Sequence, residues 1–252
     1  MDITTIFKNY HTYIYNYALK LTCHPQDAQD ITQETFVKAW KSLDMLKEED
    51  AVATWLRTIC FHLFLDKKRK EKPVDFLEDM GSLEQDGTLL TEVSVLPEDE
   101  VIVAEEIKNL QNGCFLAMVR RLSLNQRITF SLVDMFGLNI EYVADVLEIS
   151  KGAAKGLLYR ARMNIDSFFA DHCAILYEKN PCSCQAWIAF SSKRAGMQKQ
   201  AKKLVNKLDY KEKNYVYREE VRKKLKYLYG NMPEQKPPEE WYQNVLKIIE
   251  KN

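Results

Sequence analysis

The stretch from Gln26 to Lys72 limits what this chain can fold into more than any other. Its first part, DAQDITQETFVKAWKSL, sets Phe36, Ala39, Trp40 and Leu43 at the three- and four-residue spacing that lines one face of an α-helix. Pro25 stands just ahead, and Asp27, Asp30 and Glu34 fall in the early turns, where the positive end of a helix favours carboxylates. After a short charged break, WLRTICFHLFLDKKRKEK repeats the period with Leu56, Ile59, Cys60 and Leu63. It then runs into Lys67–Lys72, a basic cluster broken by one glutamate. The pattern predicts an acidic helix hairpinned onto a basic one.

The flanking sequence supplies what this pair needs to fold. Ile3 to Leu21 places Phe7, Ile14, Tyr17, Ala18 and Leu21 near helical spacing, which predicts a first helix packed beneath the Gln26–Leu43 helix. His11 and His24 have no partner at metal-ligand spacing and read as surface or turn residues. Residues 74–100 are acidic, contain Gly81, Gly87 and Pro97, and have no basic residue from Asp75 to Glu100. Such a segment cannot bury enough apolar surface to offset the entropy of ordering it, so it reads as a linker.

Helical character returns from Val101. The stretch LSLNQRITFSLVDMFGLNIEYVADVLEISKGAAKGLLYRARMNIDSFF then reads as helix, break at Gly137, helix, turn at Glu148–Ser150, helix. That is the spacing of a helix-turn-helix. Ser150 suits an N-cap, because its hydroxyl can accept from an otherwise unpaired backbone amide. Ala154, Leu157, Leu158 and Ala161 form the stripe expected to be buried, while Lys151, Lys155, Tyr159 and Arg162 line the other side as a basic edge for a major groove.

The first pair of helices, DAxDITQETFVKAWKSL followed by WLxTIxxxxxLDxxRK, resembles region 2 of bacterial sigma factors of the extracytoplasmic-function type. The later stretch, QRxxFxLxxxxGLxxEYVADVLEISKGAAKGLLYRAR, is similar to region 4 of the same family. The resemblance implies that Asp27, Asp30, Gln33, Glu34 and Phe36 face core RNA polymerase. It also implies that the Asp44–Thr54 loop with Trp55, Arg57, His62, Asp66 and Arg69 lies on or beside the melted minus-ten DNA of a promoter. The family usually has asparagine where His62 stands and glycine where Glu148 stands. Lys151, Lys155, Tyr159, Arg160 and Arg162 would meet the duplex minus-thirty-five element, Arg160 through phosphate and the lysines and Arg162 through phosphates and bases. The acidic linker would thread a basic channel of polymerase or serve as a solvated tether.

Beyond Phe169 the chain exceeds a minimal member of that family. His172, Cys173, Cys182 and Cys184 fall close together, with a bend at Asn180-Pro181. Thiolates and imidazole are the ligands zinc prefers, so a Zn2+ site at these residues is one expectation, a redox-responsive thiol group a second, and inert structural cysteines a third. The lysine- and tyrosine-rich remainder holds three short amphipathic stripes: Ala201, Leu204, Val205 and Leu208; Tyr217, Val221, Leu225 and Leu228; Trp241, Val245, Ile248 and Ile249. Short stripes need a partner surface.

These readings give an all-α chain: a region-2 helical bundle over 1–73, the linker 74–100, a helix-turn-helix domain over 101–170, and a cysteine-bearing helical extension over 171–252. With 252 residues, 46% of them hydrophobic, it can bury real cores, and its zero net charge suits a subunit that borrows DNA affinity from a larger machine. No run approaches the roughly 18 apolar residues of a membrane span, and no signal-peptide pattern opens the chain, so no membrane and a cytoplasmic location are expected. No catalytic constellation or Gly-rich phosphate loop occurs, which predicts a non-enzyme. The expected function is promoter recognition with core polymerase, under control of the extension and open to an anti-sigma partner. A stand-alone helix-turn-helix regulator sensing metal or redox state is the competing expectation.

Overall fold

The computed structural model describes residues 2–46, 48–70, 114–116, 118–120, 122–180, 216–230, 232 and 234–250. Among them the regular elements are all helices or helical turns, and no helix is long and apolar enough to cross a membrane. The linker 74–100, the start of the second helical region at Val101, and the stripe Ala201–Leu208 lie outside the described residues. The chain divides into two compact units. The first, the bundle unit, is built from residues 1–74 together with 233–252, and the second, the reader unit, from residues 75–232.

In the bundle unit, α1 spans Ile3–Thr22, α2 spans Pro25–Lys41 and α3 spans Val52–Lys70. Asp2 caps α1 by accepting from the Thr5 amide at 2.9 Å, and His24 caps α2 through Nδ1, with Pro25 in the first turn as its fixed φ favours. Most of the apolar spacing is buried: Phe7, Ile14, Tyr17, Ala18 and Leu21 are sealed from solvent together with Ile6, as are Phe36, Ala39, Leu56 and Cys60, while Leu43 and Ile59 are half-buried. Phe7 meets Phe36 edge-on, ring centroids 5.0 Å apart, which joins α1 to α2. Helices α2 and α3 are stitched at their polar margin by Lys67, whose Nζ lies 2.9 Å from Asp27 Oδ1 and 3.5 Å from Asp30 Oδ2.

The fourth helix of this unit comes from the far end of the chain. Helix α8, Glu239–Glu250, packs on α1 and α2 with Val245 and Ile249 buried. Tyr242 stacks on Phe7 at 5.3 Å, and Trp241 lies against Phe7 and Tyr15. Just ahead of it, the buried Asn16 side chain donates to the Gln235 carbonyl and accepts from the Gln235 amide, both at 2.9 Å, so an α1 side chain pairs with the incoming backbone. Lys8 closes the other end on Glu250 at 3.7 Å.

In the reader unit, α4 (Leu124–Phe130) continues into a π-helical turn, Ser131–Met135, and stops at Gly137, whose φ of +79° is one that glycine adopts freely. Helix α5 (Ile140–Val146) starts on the Asn139 cap, and α6 (Lys151–His172) starts on Ser150, whose Oγ accepts from the Ala153 amide at 3.1 Å. Helix α7, Glu219–Gly230, packs on α6 and on the π-turn, bringing Tyr229 among Phe115 and Phe130. The extension read as one region, 171–252, is therefore shared: α7 completes the reader unit and α8 the bundle unit.

Candidate nucleic-acid interface

The α2 edge is acidic and open at Asp30 and Glu34, with Gln33 half-buried between them. Asp27 is turned toward Lys67. Burial works to raise its pKa, but the Lys67 hydrogen bond and nearby positive charge prevail and hold it below the ordinary carboxylate value. Phe36 requires a correction. The resemblance put it on the outward face, whereas its ring is fully buried against Phe7, because it belongs to the same stripe as Ala39.

On α3, Trp55, His62 and Arg69 recur every seven residues and so share one face. His62 and Arg69 are exposed there, Trp55 is half-buried, and Arg69 lies 3.6 Å from Asp66 one turn back. Arg57 does not join them. It stands across the helix, donating to the Tyr13 hydroxyl of α1 and, at 3.0 Å, to Thr54 Oγ1. In the loop before α3, Met45 is 70% exposed, and the exposed Trp40 ends the preceding helix. The sequence reading put Trp40 on the dry face; a large apolar side chain held in water is a common mark of a contact surface.

On α6 the open side carries Lys155, Tyr159 (59% exposed) and Arg160, while Ala154, Leu158 and Ala161 are buried and Leu157 is partly so. Lys151 sits at the margin, paired with Glu141 of α5. Arg162 is the second correction. Its guanidinium grips Asp134 with two bonds, Nε to Oδ2 at 2.9 Å and Nη2 to Oδ1 at 2.6 Å, so it holds the helix in place instead of reaching outward. The turn ahead of α6 is made by Glu148 at φ +54°.

The cysteine group is only partly visible. Cys173 is buried and ends α6, and Asn180 folds back to donate to the carbonyls of Ala170 and Cys173 at 2.8 and 3.1 Å. Cys182 and Cys184 lie outside the described residues, as does the His172 side chain. Among the described residues no three His, Cys, Asp or Glu side chains are grouped to hold a metal.

Two faces thus present base and aromatic rings together, one on α3 and one on α6, and a third, on α2, presents acid. A stacked ring beside a cation suits unpaired bases and their phosphates, and a capped helix with an open basic face suits a duplex groove. Comparison with known proteins fits this division. Residues 6–74 match the family model of Sigma-70 region 2, and residues 112–165 that of Sigma-70, region 4. The chain is 27% identical over 164 residues to the ECF RNA polymerase sigma factor SigW of Bacillus subtilis, covering 64% of this chain and 83% of that protein. It is 27% identical over 171 residues to SigM of the same organism, covering 67% and 96%. It is also 27% identical over 147 residues to the ECF RNA polymerase sigma-E factor of Escherichia coli, covering 56% and 73%. Helices α7 and α8 lie beyond the residues that either family model matches.

Proposed function

We infer that this chain is an RNA polymerase sigma factor of the extracytoplasmic-function type, directing core polymerase to promoters and starting transcription there. The observation that carries the reading is the presence, in the family's order, of both matched regions, each folded into its own unit. A stand-alone helix-turn-helix regulator has no use for the region-2 bundle, so that alternative is not favoured.

The physical division of labour follows from the three faces. The acid at Asp30 and Glu34, with Gln33 beside it and Asp27 behind it on Lys67, is the surface for a basic docking site on core polymerase. The α3 face offers Trp55 as a stacking surface, His62 as a hydrogen-bonding edge and Arg69 as counter-charge for a single strand. Arg57 supports that face from within, by tying α3 to Tyr13. Lys155 and Arg160 neutralise phosphates of the upstream duplex, and Tyr159 and Lys151 stand where base edges pass. Polymerase supplies the remaining affinity, which is why a chain of zero net charge suffices.

The test is run-off transcription by core polymerase reconstituted with the purified chain on DNA from its own genome. Specific starts that vanish without the chain support the reading. Failure both to bind core enzyme and to start any transcript rejects it.

The cysteine group is proposed as a zinc site formed by Cys173, Cys182 and Cys184, with His172 as a further candidate ligand. In support, the Asn180 side chain ties the chain two residues ahead of Cys182 to the Cys173 carbonyl. About one zinc per chain, lost on Cys182→Ser with Cys184→Ser, is the expected metal analysis; protein purified without chelator and free of metal would favour a thiol switch. The proposed setting is the cytoplasm, with an anti-sigma protein as a further candidate partner.

A further inference from the structure

Among the described residues, three charged side chains of the reader unit are withdrawn from solvent, those of Asp134, Asp166 and Arg222, and the last two are bonded to each other: Arg222 Nη1 lies 2.8 Å from Asp166 Oδ1. A buried ion pair costs desolvation and is a poor way to gain stability, so its placement calls for a further reason. Asp166 is on α6, one turn beyond Arg162. Arg222 is on α7, outside the residues that the family models match.

The same guanidinium reaches a second acid. Arg222 Nη2 is 3.3 Å from Asp134 Oδ2, the carboxylate that Arg162 grips with both of its bonds. The Tyr229 hydroxyl lies 3.3 Å from Asp134 Oδ2 and is bonded to Arg222, and the Arg222 guanidinium carbon sits over the Phe130 and Tyr229 rings at 5.8 and 5.1 Å. Two acids and two bases are thus balanced across three elements: Asp134 on the π-turn, Arg162 and Asp166 on the DNA-facing helix, and Arg222 on the C-terminal helix. Among the described residues the second oxygen of Asp166 has no hydrogen-bond partner, and Arg222 is its one bonded cation.

Withdrawing Arg222 would leave two carboxylates in a poorly hydrated cluster with one cation between them. Asp166, four residues from Arg162 on the same helix face, would then, at a pH that keeps it ionised, compete with Asp134 for that cation. The bidentate grip that fixes α6 on the π-turn would loosen, and the open face with Lys155, Tyr159 and Arg160 would turn with it.

We propose that Arg222 is a positioning residue for promoter reading: from the C-terminal extension, it neutralises Asp166 and braces Asp134, so that Arg162 locks the DNA-facing helix in register. This rests on the sigma-factor reading of the same helix. It makes α7 a working part of the upstream DNA reader, beyond what the matched residues encode.

The experiment uses holoenzyme assembled from core polymerase and the full chain, on templates with an intact or a scrambled minus-thirty-five element, and takes the ratio of transcripts as discrimination. Core binding is titrated alongside. Arg222→Met is expected to lower discrimination by about fivefold or more while core binding stays within about twofold. Adding Asp166→Asn to Arg222→Met removes the competing acid and is expected to return discrimination to within about twofold of the wild type. Arg222→Lys keeps the charge but not the two-pronged geometry; it serves as the folding-safe variant and is expected to lose about threefold. Wild-type discrimination in Arg222→Lys, absence of rescue in the double variant, or a parallel loss of core binding would each overturn the proposal. A wild-type holoenzyme that cannot tell the two templates apart would instead defeat the functional reading on which it rests.

Discussion

Glu148 forms the turn between α5 and α6 at φ +54°, a conformation in which a side chain crowds its own backbone and for which glycine is the usual choice. Glu148→Gly should therefore stabilise the reader unit by about 0.5–1 kcal/mol, read as a higher urea midpoint, the gain being trimmed by the extra freedom of the unfolded chain. The sequence flagged the missing glycine but could not show that the turn had kept its shape. Asp166 sets an opposite case. Burial pushes its carboxyl up to about 6, against the pull of Arg222. An unfolded aspartate titrates near roughly 3.9, so between these values the unfolded chain has released a proton that the folded one keeps. Stability from this group is present below about pH 4 and is lost as pH rises to about 6, by on the order of 2 kcal/mol. Asp166→Asn should flatten that slope in thermal unfolding scans between those two pH values. On the open face, Lys155→Ala and Arg160→Ala should each weaken upstream DNA binding and lower the salt slope by about one, measured by titration at several salt concentrations.

Whole helices were far more legible than their destinations. The stripes of α1, α2, α3 and α6 named most of their buried residues, Trp40 being the exposed exception, because a 3.6-residue period is a property of the chain itself, and the Ser150 cap followed from chemistry confined to three residues. Phe36 carried two incompatible expectations, one from its stripe and one from resemblance, and the stripe proved the better guide. The resemblance places Arg57 and Arg162 among the DNA contacts, and neither it nor charge alone reveals a Tyr13 or an Asp134 waiting in another helix. For α7 and α8 the stripes announce a need for a partner without saying which one, and nothing in the spacing sets Arg222 apart from the lysines around it. The seat of α8 is correspondingly testable. Ile249→Ala should cost about 2 kcal/mol by leaving a void against the bundle unit, a loss visible in urea unfolding followed by tryptophan fluorescence. Asn16→Ala should add a smaller loss by stripping the Gln235 backbone of both bonds.

At the scale of the molecule, the region-2 match ends at residue 74, yet the unit that contains it also uses residues 233–252. A chain cut after Met232 keeps every residue that the family models recognise. It should nevertheless show a bundle unit that unfolds earlier and is cleaved faster by protease near α1, with the reader unit unchanged; peptide mapping by mass spectrometry separates the two. The bundle unit is thus made from two stretches of one polypeptide distant in sequence, and a ribosome delivers them far apart in time. At roughly 5–20 residues per second, α1 to α3 wait some ten to forty seconds for their fourth helix. Throughout that interval Phe7 and Tyr15 lack the cover of Trp241 and Tyr242. A nascent copy keeps an unfinished bundle until the codons for α8 are read, and messages cut short before that point yield proteins with an uncovered aromatic surface for chaperones and proteases to find.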